Sequence, residues 1–125
     1  MAGAQRQPDD SLIERLVAEG PGFSFFQAVQ LLHRISPNLK AVGDVGPPDK
    51  EVLRFHVNPD LKFSAGDIES IAPPKEGAQN RQFDLTANFL GLVGASSPLC
   101  YHYTEEVIEE ELNDNFTLRG FYDIF

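Results

Sequence analysis

The sequence predicts an α+β fold: a helical hairpin at the N-terminal end, a small antiparallel sheet of two to three strands, and helices at the C-terminal end. Three observations carry this expectation. Apolar residues recur at helical spacing between Leu12 and Ile35, they alternate with polar ones over residues 51–57 and 82–89, and a helical pattern returns after Pro98. Residues 1–10 are small, polar and interrupted by Pro8, which predicts a disordered lead to a single domain over residues 11–125.

Each element has its own signal. Ser11-Leu12-Ile13-Glu14 reads as a capping box, in which serine and glutamate satisfy free backbone amides reciprocally. The stripe Leu12, Ile13, Leu16 and Val17 follows, and Gly20-Pro21-Gly22 ends the helix. A second box, Ser24-Phe25-Phe26-Gln27, opens a helix with Phe25, Ala28, Val29, Leu32 and Ile35 on one face, stopped by Pro37. Residues 41–50 are a loop by composition. In the next strand Leu53, Phe55 and Val57 face one way and Val52, Arg54 and His56 the other. After the turn Asn58-Pro59-Asp60, residues 64–71 read as one helical turn or a 3₁₀ segment, with Ile68 and Ile71 facing inward.

Residues 73–77 form a second loop, expected to be mobile. Phe83, Leu85, Ala87 and Phe89 then share a strand face. Thr104 reads as the cap of a helix whose first turn carries Glu105 and Glu106, where carboxylates favour the positive helix end. Leu118, Phe121 and Phe125 give the tail a helical stripe that stops while still apolar, which reads either as packing back on the core or, in preference, as a fragment or an interface.

Composition narrows the function. The net charge of −9 and the lack of clustered Lys or Arg argue against nucleic-acid binding and against docking on anionic lipid. The lone cysteine, Cys100, permits no intramolecular disulfide. There is no signal-peptide core and no run of about 18 apolar residues, so a cytoplasmic location is the simplest expectation.

No constellation selects a chemistry. Gly94-Ala95-Ser96-Ser97-Pro98 begins like a nucleophile elbow, but Pro98 stands where the pattern needs glycine. His33, His56 and His102 are available as bases without spacing that selects a triad. Cys100, His102, Glu105 and Glu106 are capable zinc ligands but lack a second pair. Gly91-Leu92-Val93-Gly94 lacks the residues of either nucleotide-binding loop. The residues therefore predict neither enzyme nor cofactor. The run from Glu105 to Glu111 places Glu105, Glu106, Glu109 and Glu110 on a helix surface, either solvated or docked against a basic partner. Phe121, Tyr122 and Phe125 are the other candidate interface residues.

Three blocks resemble a known family. Phe25-Phe26-Gln27-Ala28, with Leu31-Leu32 after it, is similar to the N-terminal helix of the TssG family, also called ImpH or VasB. Leu53-Arg54-Phe55 and Asn58-Pro59-Asp60-Leu61-Lys62-Phe63 resemble its first strand and turn. The fullest block is Asn88-Phe89-Leu90-Gly91-Leu92, Gly94, Pro98-Leu99 and His102-Tyr103-Thr104-Glu105. Two positions depart: the family's Gly-Pro-x-Gly turn is here Gly94-Ala95-Ser96-Ser97, and a usual proline is here Cys100.

The resemblance implies a structural subunit of the bacterial type VI secretion baseplate, matched over the N-terminal part of longer family members. It implies assembly with TssF, TssE and TssK at the cytoplasmic face of the envelope, without catalysis, cofactor or small-molecule substrate. It marks Phe25, Phe26, Asn88, Phe89, Gly91, Gly94, Pro98, His102 and Thr104 as fold-bearing. The alternative is a standalone acidic adaptor domain with an unrelated protein partner.

Overall fold

The computed structural model describes residues 8–75 and 82–125. Most of the expected disordered lead, residues 1–7, and the end of the loop at 73–77 lie outside them. Helix α1 spans Pro8–Glu19 and so begins three residues before Ser11. Proline suits a first helical position, where its missing N–H has no partner to lose. Ser11 therefore sits inside the first turn and not at the cap.

A 3₁₀ turn over Gly20–Gly22 leads to α2, Phe25–Ile35. Ser24 caps α2, its hydroxyl accepting the Gln27 N–H at 3.4 Å. The chain then crosses a loop and a second 3₁₀ turn, Pro48–Lys50, to reach β1, Leu53–Val57.

Strands β2, Ile68–Ala72, and β3, Phe83–Ala87, complete a three-stranded sheet of order β1-β3-β2. The α+β class is as the sequence predicts, but the sheet is mixed. β2 pairs antiparallel with β3, whereas β1 pairs parallel with it, in register Leu53 with Phe83 through Val57 with Ala87. The connection out of β1 passes through β2 on the far side, so β3 returns beside β1 in the same direction.

The helical or 3₁₀ turn expected over residues 64–71 is absent: residues 65–67 are a bend, and β2 starts at Ile68. Ile68 and Ile71 do both face inward. Their i, i+3 spacing suits a helix, but a register shift between Ile68 and Ser70 inserts an extra residue and gives a strand the same outcome.

The larger core lies between the helical hairpin and the sheet: Leu16 of α1, Ala28 and Leu32 of α2, and Leu53, Ile68, Ile71, Phe83, Leu85 and Ala87 of the strands. Phe25 packs at its margin, ring centroid 5.7 Å from Phe55 and 5.1 Å from Phe89. Phe89 lies past the end of β3 and is 46% exposed. Truncating these two rings should therefore have unequal effects. Phe25→Ala is expected to cost about 2 kcal/mol and Phe89→Ala about 1 kcal/mol in urea melts, since only the first opens space against the core. Equal costs would contradict this packing.

Helix α3 spans Tyr101–Leu112 with Cys100 at its N-cap, and α4 spans Thr117–Tyr122. Thr104 is thus the fourth residue of α3 and not its cap, and Glu105 and Glu106 fall beyond the first turn. A tight turn joins the helices, with Asp114 at φ 58°, a conformation that short polar side chains tolerate. A second, smaller core forms here from Val57, Val93, Val107 and Tyr122, flanked by Leu92, Leu99 and Leu118.

Candidate functional site

The segment between β3 and α3 is built on two glycines. Gly91 has φ +118° and Gly94 φ +113°, both in the region that side chains disfavour. A Cβ on Gly91 would stand 2.6 Å from a Val57 methyl, and one on Gly94 would stand 2.6 Å from the Asn58 carbonyl oxygen. The loop thus presses backbone against the end of β1. The Gly94 N–H donates to the buried Thr104 Oγ1 at 3.0 Å, so the first turn of α3 holds the same loop. The departing turn is closed by the Ser97 N–H on the Gly94 carbonyl at 3.3 Å.

Asn88 anchors the other side. Its Nδ2 donates to the Gly66 carbonyl at 2.9 Å, and its Oδ1 accepts from Asn58 Nδ2 at 2.8 Å, so one amide ties three loops together. Pro98 is exposed just ahead of α3. His102 is exposed and lies 3.0 Å from Glu106 one turn on. Phe26 is exposed, edge-on to Phe25 at 5.6 Å.

A polar clamp that sequence reasoning missed fastens the C-terminal end. His56 Nδ1 meets Asp123 Oδ2 at 2.8 Å, and its Nε2 meets Asp84 Oδ1 at 2.9 Å. Asp123 Oδ1 accepts the Val57 N–H at 3.0 Å. Arg119 pairs with Glu111 at 2.9 Å and donates its other arm to the Val57 carbonyl at 3.2 Å. Four elements, β1, β3, α3 and α4, are thereby cross-linked around His56 and Val57. The signal for this was weak: His56 and Asp84 become neighbours only through the parallel register, and Asp123 is 67 positions away.

The hydrogen bond to Asp123 raises the His56 pKa against the opposing effect of burial, and the bond to Asp84 adds to the rise. Burial pushes Asp123 upward, but the His56 and Val57 hydrogen bonds outweigh it and hold the carboxyl below its ordinary value. Both ring nitrogens are engaged by carboxylates, which favours the protonated imidazole and leaves neither nitrogen turned toward the cleft without a partner. The adjoining cleft, about 300 Å³, is lined among the described residues by Phe55, Val57, Leu90, Gly91, Tyr122 and Phe125 beside the clamp. Ser96 lines a different groove, with Phe63 and Phe89, and Cys100 is exposed. The arrangement is suited to fastening a helix rather than to nucleophilic chemistry.

The candidate interface residues divide. Glu105, Glu106 and Glu109 are exposed on α3, while Glu110 is half-buried. Tyr122 is buried in the smaller core, so it is not on the surface that Phe121 and Phe125 present. These two rings lie 5.6 Å apart, and with Ile124 they form an exposed apolar cluster, Ile124 at 77% and Phe125 at 76% exposure. Among the described residues no helix is long and apolar enough to cross a membrane, and no group of three His, Cys, Asp or Glu is placed to hold a metal.

The loop and helices just described fall within a single match to a known family. The family model described as "Type VI secretion, TssG" matches residues 19–125. The chain belongs to the TssG family. It is therefore a type VI secretion component, in a structural family and not a known family of enzymes. No curated protein and no solved structure matches the chain. The match begins at the last residue of α1, so α2, the sheet and the clamped helices are the TssG part of this molecule.

Proposed function

We propose that this TssG-family chain is a structural subunit of the type VI secretion baseplate, built into a wedge by protein–protein contacts. The partners are other type VI secretion proteins, named by family resemblance as TssF, TssE and TssK. The site of action is the cytoplasmic face of the envelope. The observation that carries the assembly reading is the apolar cluster Phe121, Ile124 and Phe125, exposed on a segment that the His56–Asp123 clamp holds in place. Large apolar groups held outward on a fixed scaffold favour burial against a partner. The exposed carboxylates of α3 add a negative rim suited to basic residues.

Co-expression with TssF, TssE and TssK from one genome, followed by size-exclusion chromatography, tests this directly. A complex of defined stoichiometry containing this chain is expected. A folded chain that elutes alone would favour a standalone adaptor.

A further inference from the structure

We propose that His56 is a positioning residue for the assembly surface, coupling partner binding to a proton on its ring, an inference that rests on the assembly reading above. Protonated, the ring bridges two carboxylates and keeps docked the segment that bears Phe121, Ile124 and Phe125. Asp84 and Asp123, as carboxylates, only accept, and they stand 2.9 Å from Nε2 and 2.8 Å from Nδ1 of this one imidazole. The protonated ring has a hydrogen for each of them. The neutral ring has one, so loss of a single proton turns one contact into a meeting of lone pairs.

Burial decides which contact yields. Asp84 is 35% exposed and stands opposite Arg54 in the parallel register, so water and a guanidinium are at hand for it. Asp123 is 11% exposed, and its other oxygen already accepts the Val57 N–H. The remaining hydrogen therefore stays on Nδ1, and the ion pair with Asp123 becomes a weaker hydrogen bond from an uncharged donor. The other charges nearby do not replace the lost one. Arg119 lies on α4 itself and is paired with Glu111 of α3, and Arg54 adjoins Asp84. The Tyr122 phenol lines the same cleft, and His56 is the sheet side chain that bonds Asp123.

The segment has few further ties. α4 is six residues long, too short to be stable by itself. Its apolar attachment is Tyr122 in the smaller core with Leu118 beside it, while Phe121, Ile124 and Phe125 are exposed. Phe125, Phe55 and Leu90 line a cleft of about 300 Å³, so these side chains do not close into a packed seam. Two bonds to the Val57 backbone, from Asp123 and Arg119, complete the attachment. A weakened clamp lets the end of α4 open locally without unfolding the sheet, and a partner that needs the cluster docked then meets fewer competent molecules.

The two carboxylates raise the ring's pKa above its ordinary 6.5, so the proton is present at pH 6 and is lost as pH rises through the folded value. His56→Gln keeps a donor for one carboxylate and cannot take up a proton. Equilibrium binding of the TssF–TssE–TssK mixture to both chains, from pH 6 to pH 9, reads the coupling. The ratio of the two affinities cancels any titration in the partners. The unaltered chain is expected to bind about fivefold more tightly than His56→Gln at pH 6, the lower end of ordinary coupling, and about equally at pH 9. A ratio that stays constant across this range, with both chains folded, overturns the proposal and leaves the assembly reading standing. Absence of a complex at every pH overturns both.

The titration of His56 in the unaltered chain, followed by NMR, decides the matter even where His56→Gln fails to fold. By reciprocity the complex should hold the proton about fivefold more tightly than the free chain. A titration midpoint that is the same or lower in the complex overturns the proposal.

Discussion

Gly94→Ala is expected to cost about 4 kcal/mol, a fall in Tm of roughly 15 °C for a domain of this size. Two effects add. The backbone at φ +113° is strained for any residue with a side chain, which alone costs about 1–3 kcal/mol. The new Cβ would also lie 2.6 Å from the Asn58 carbonyl oxygen, a backbone atom with little room to yield. Asn58 donates its own N–H to Ala87 and its side-chain amide to Asn88, so moving it disturbs the end of the sheet. Gly120→Ala is the control. It lies inside α4 with open space around the new methyl, and it should stabilise by about 0.5–1 kcal/mol through helix propensity. Thermal melts of both variants read the contrast; a loss for Gly94→Ala as small as 1 kcal/mol would remove the loop from its role as a structural hinge between sheet and helices.

Asp123→Ala should be the next most damaging change, at about 3 kcal/mol, the lower end for a partly shielded ion pair. The truncation leaves the Val57 N–H without its acceptor and His56 with a single partner. The effect depends on pH in a stated direction. His56 is raised above its ordinary value of 6.5, so its contribution is fully present below that pH and is lost as pH rises through the folded value. Asp123 is lowered below its ordinary 3.8, so its contribution is present above that pH and is lost as pH falls through the folded value. The gap between the unaltered chain and Asp123→Ala should thus be widest between these two ordinary values. It should narrow well above His56's folded pKa, though not vanish, because the Val57 hydrogen bond persists. A gap that does not change between pH 5.5 and pH 9 would show that His56 is not the partner that matters.

These two sites differ in how far the sequence revealed them. Gly91 and Gly94 stand out as punctuation in an apolar run, and the need for such residues is local: a positive φ at each. What they press against is not local, and neither Val57 nor Asn58 is legible from the loop itself. The helical hairpin was readable because its stripe and its Ser24 cap are properties of short windows. The sheet was readable strand by strand but not in its pairing, since parallel and antiparallel strands share the period-2 pattern. Ile68 and Ile71 illustrate the remaining ambiguity, where a bulge imitates helical spacing. Thr104 lies one turn inside its helix and not at the cap: its hydroxyl resembles a capping group, but its partner, the Gly94 N–H, belongs to the preceding loop. The His56 clamp was invisible because its three residues come from β1, β3 and the end of α4.

The charged face of α3 also proves uneven. Glu111 is committed to Arg119, which in turn holds the Val57 carbonyl, whereas Glu105 and Glu109 remain exposed. Surface carboxylates of the second kind contribute little to stability and are free to serve a partner.

The most direct test of the assembly account is equilibrium binding of the TssF–TssE–TssK mixture to the unaltered chain and to a variant with Phe121, Ile124 and Phe125 all changed to Ser. Removing an exposed apolar cluster should leave Tm within a few degrees while weakening binding by about a hundredfold, the range expected when several anchor residues are lost. Binding by the variant as tight as by the unaltered chain, at equal Tm, would contradict the claim that this cluster is what joins the chain to its assembly.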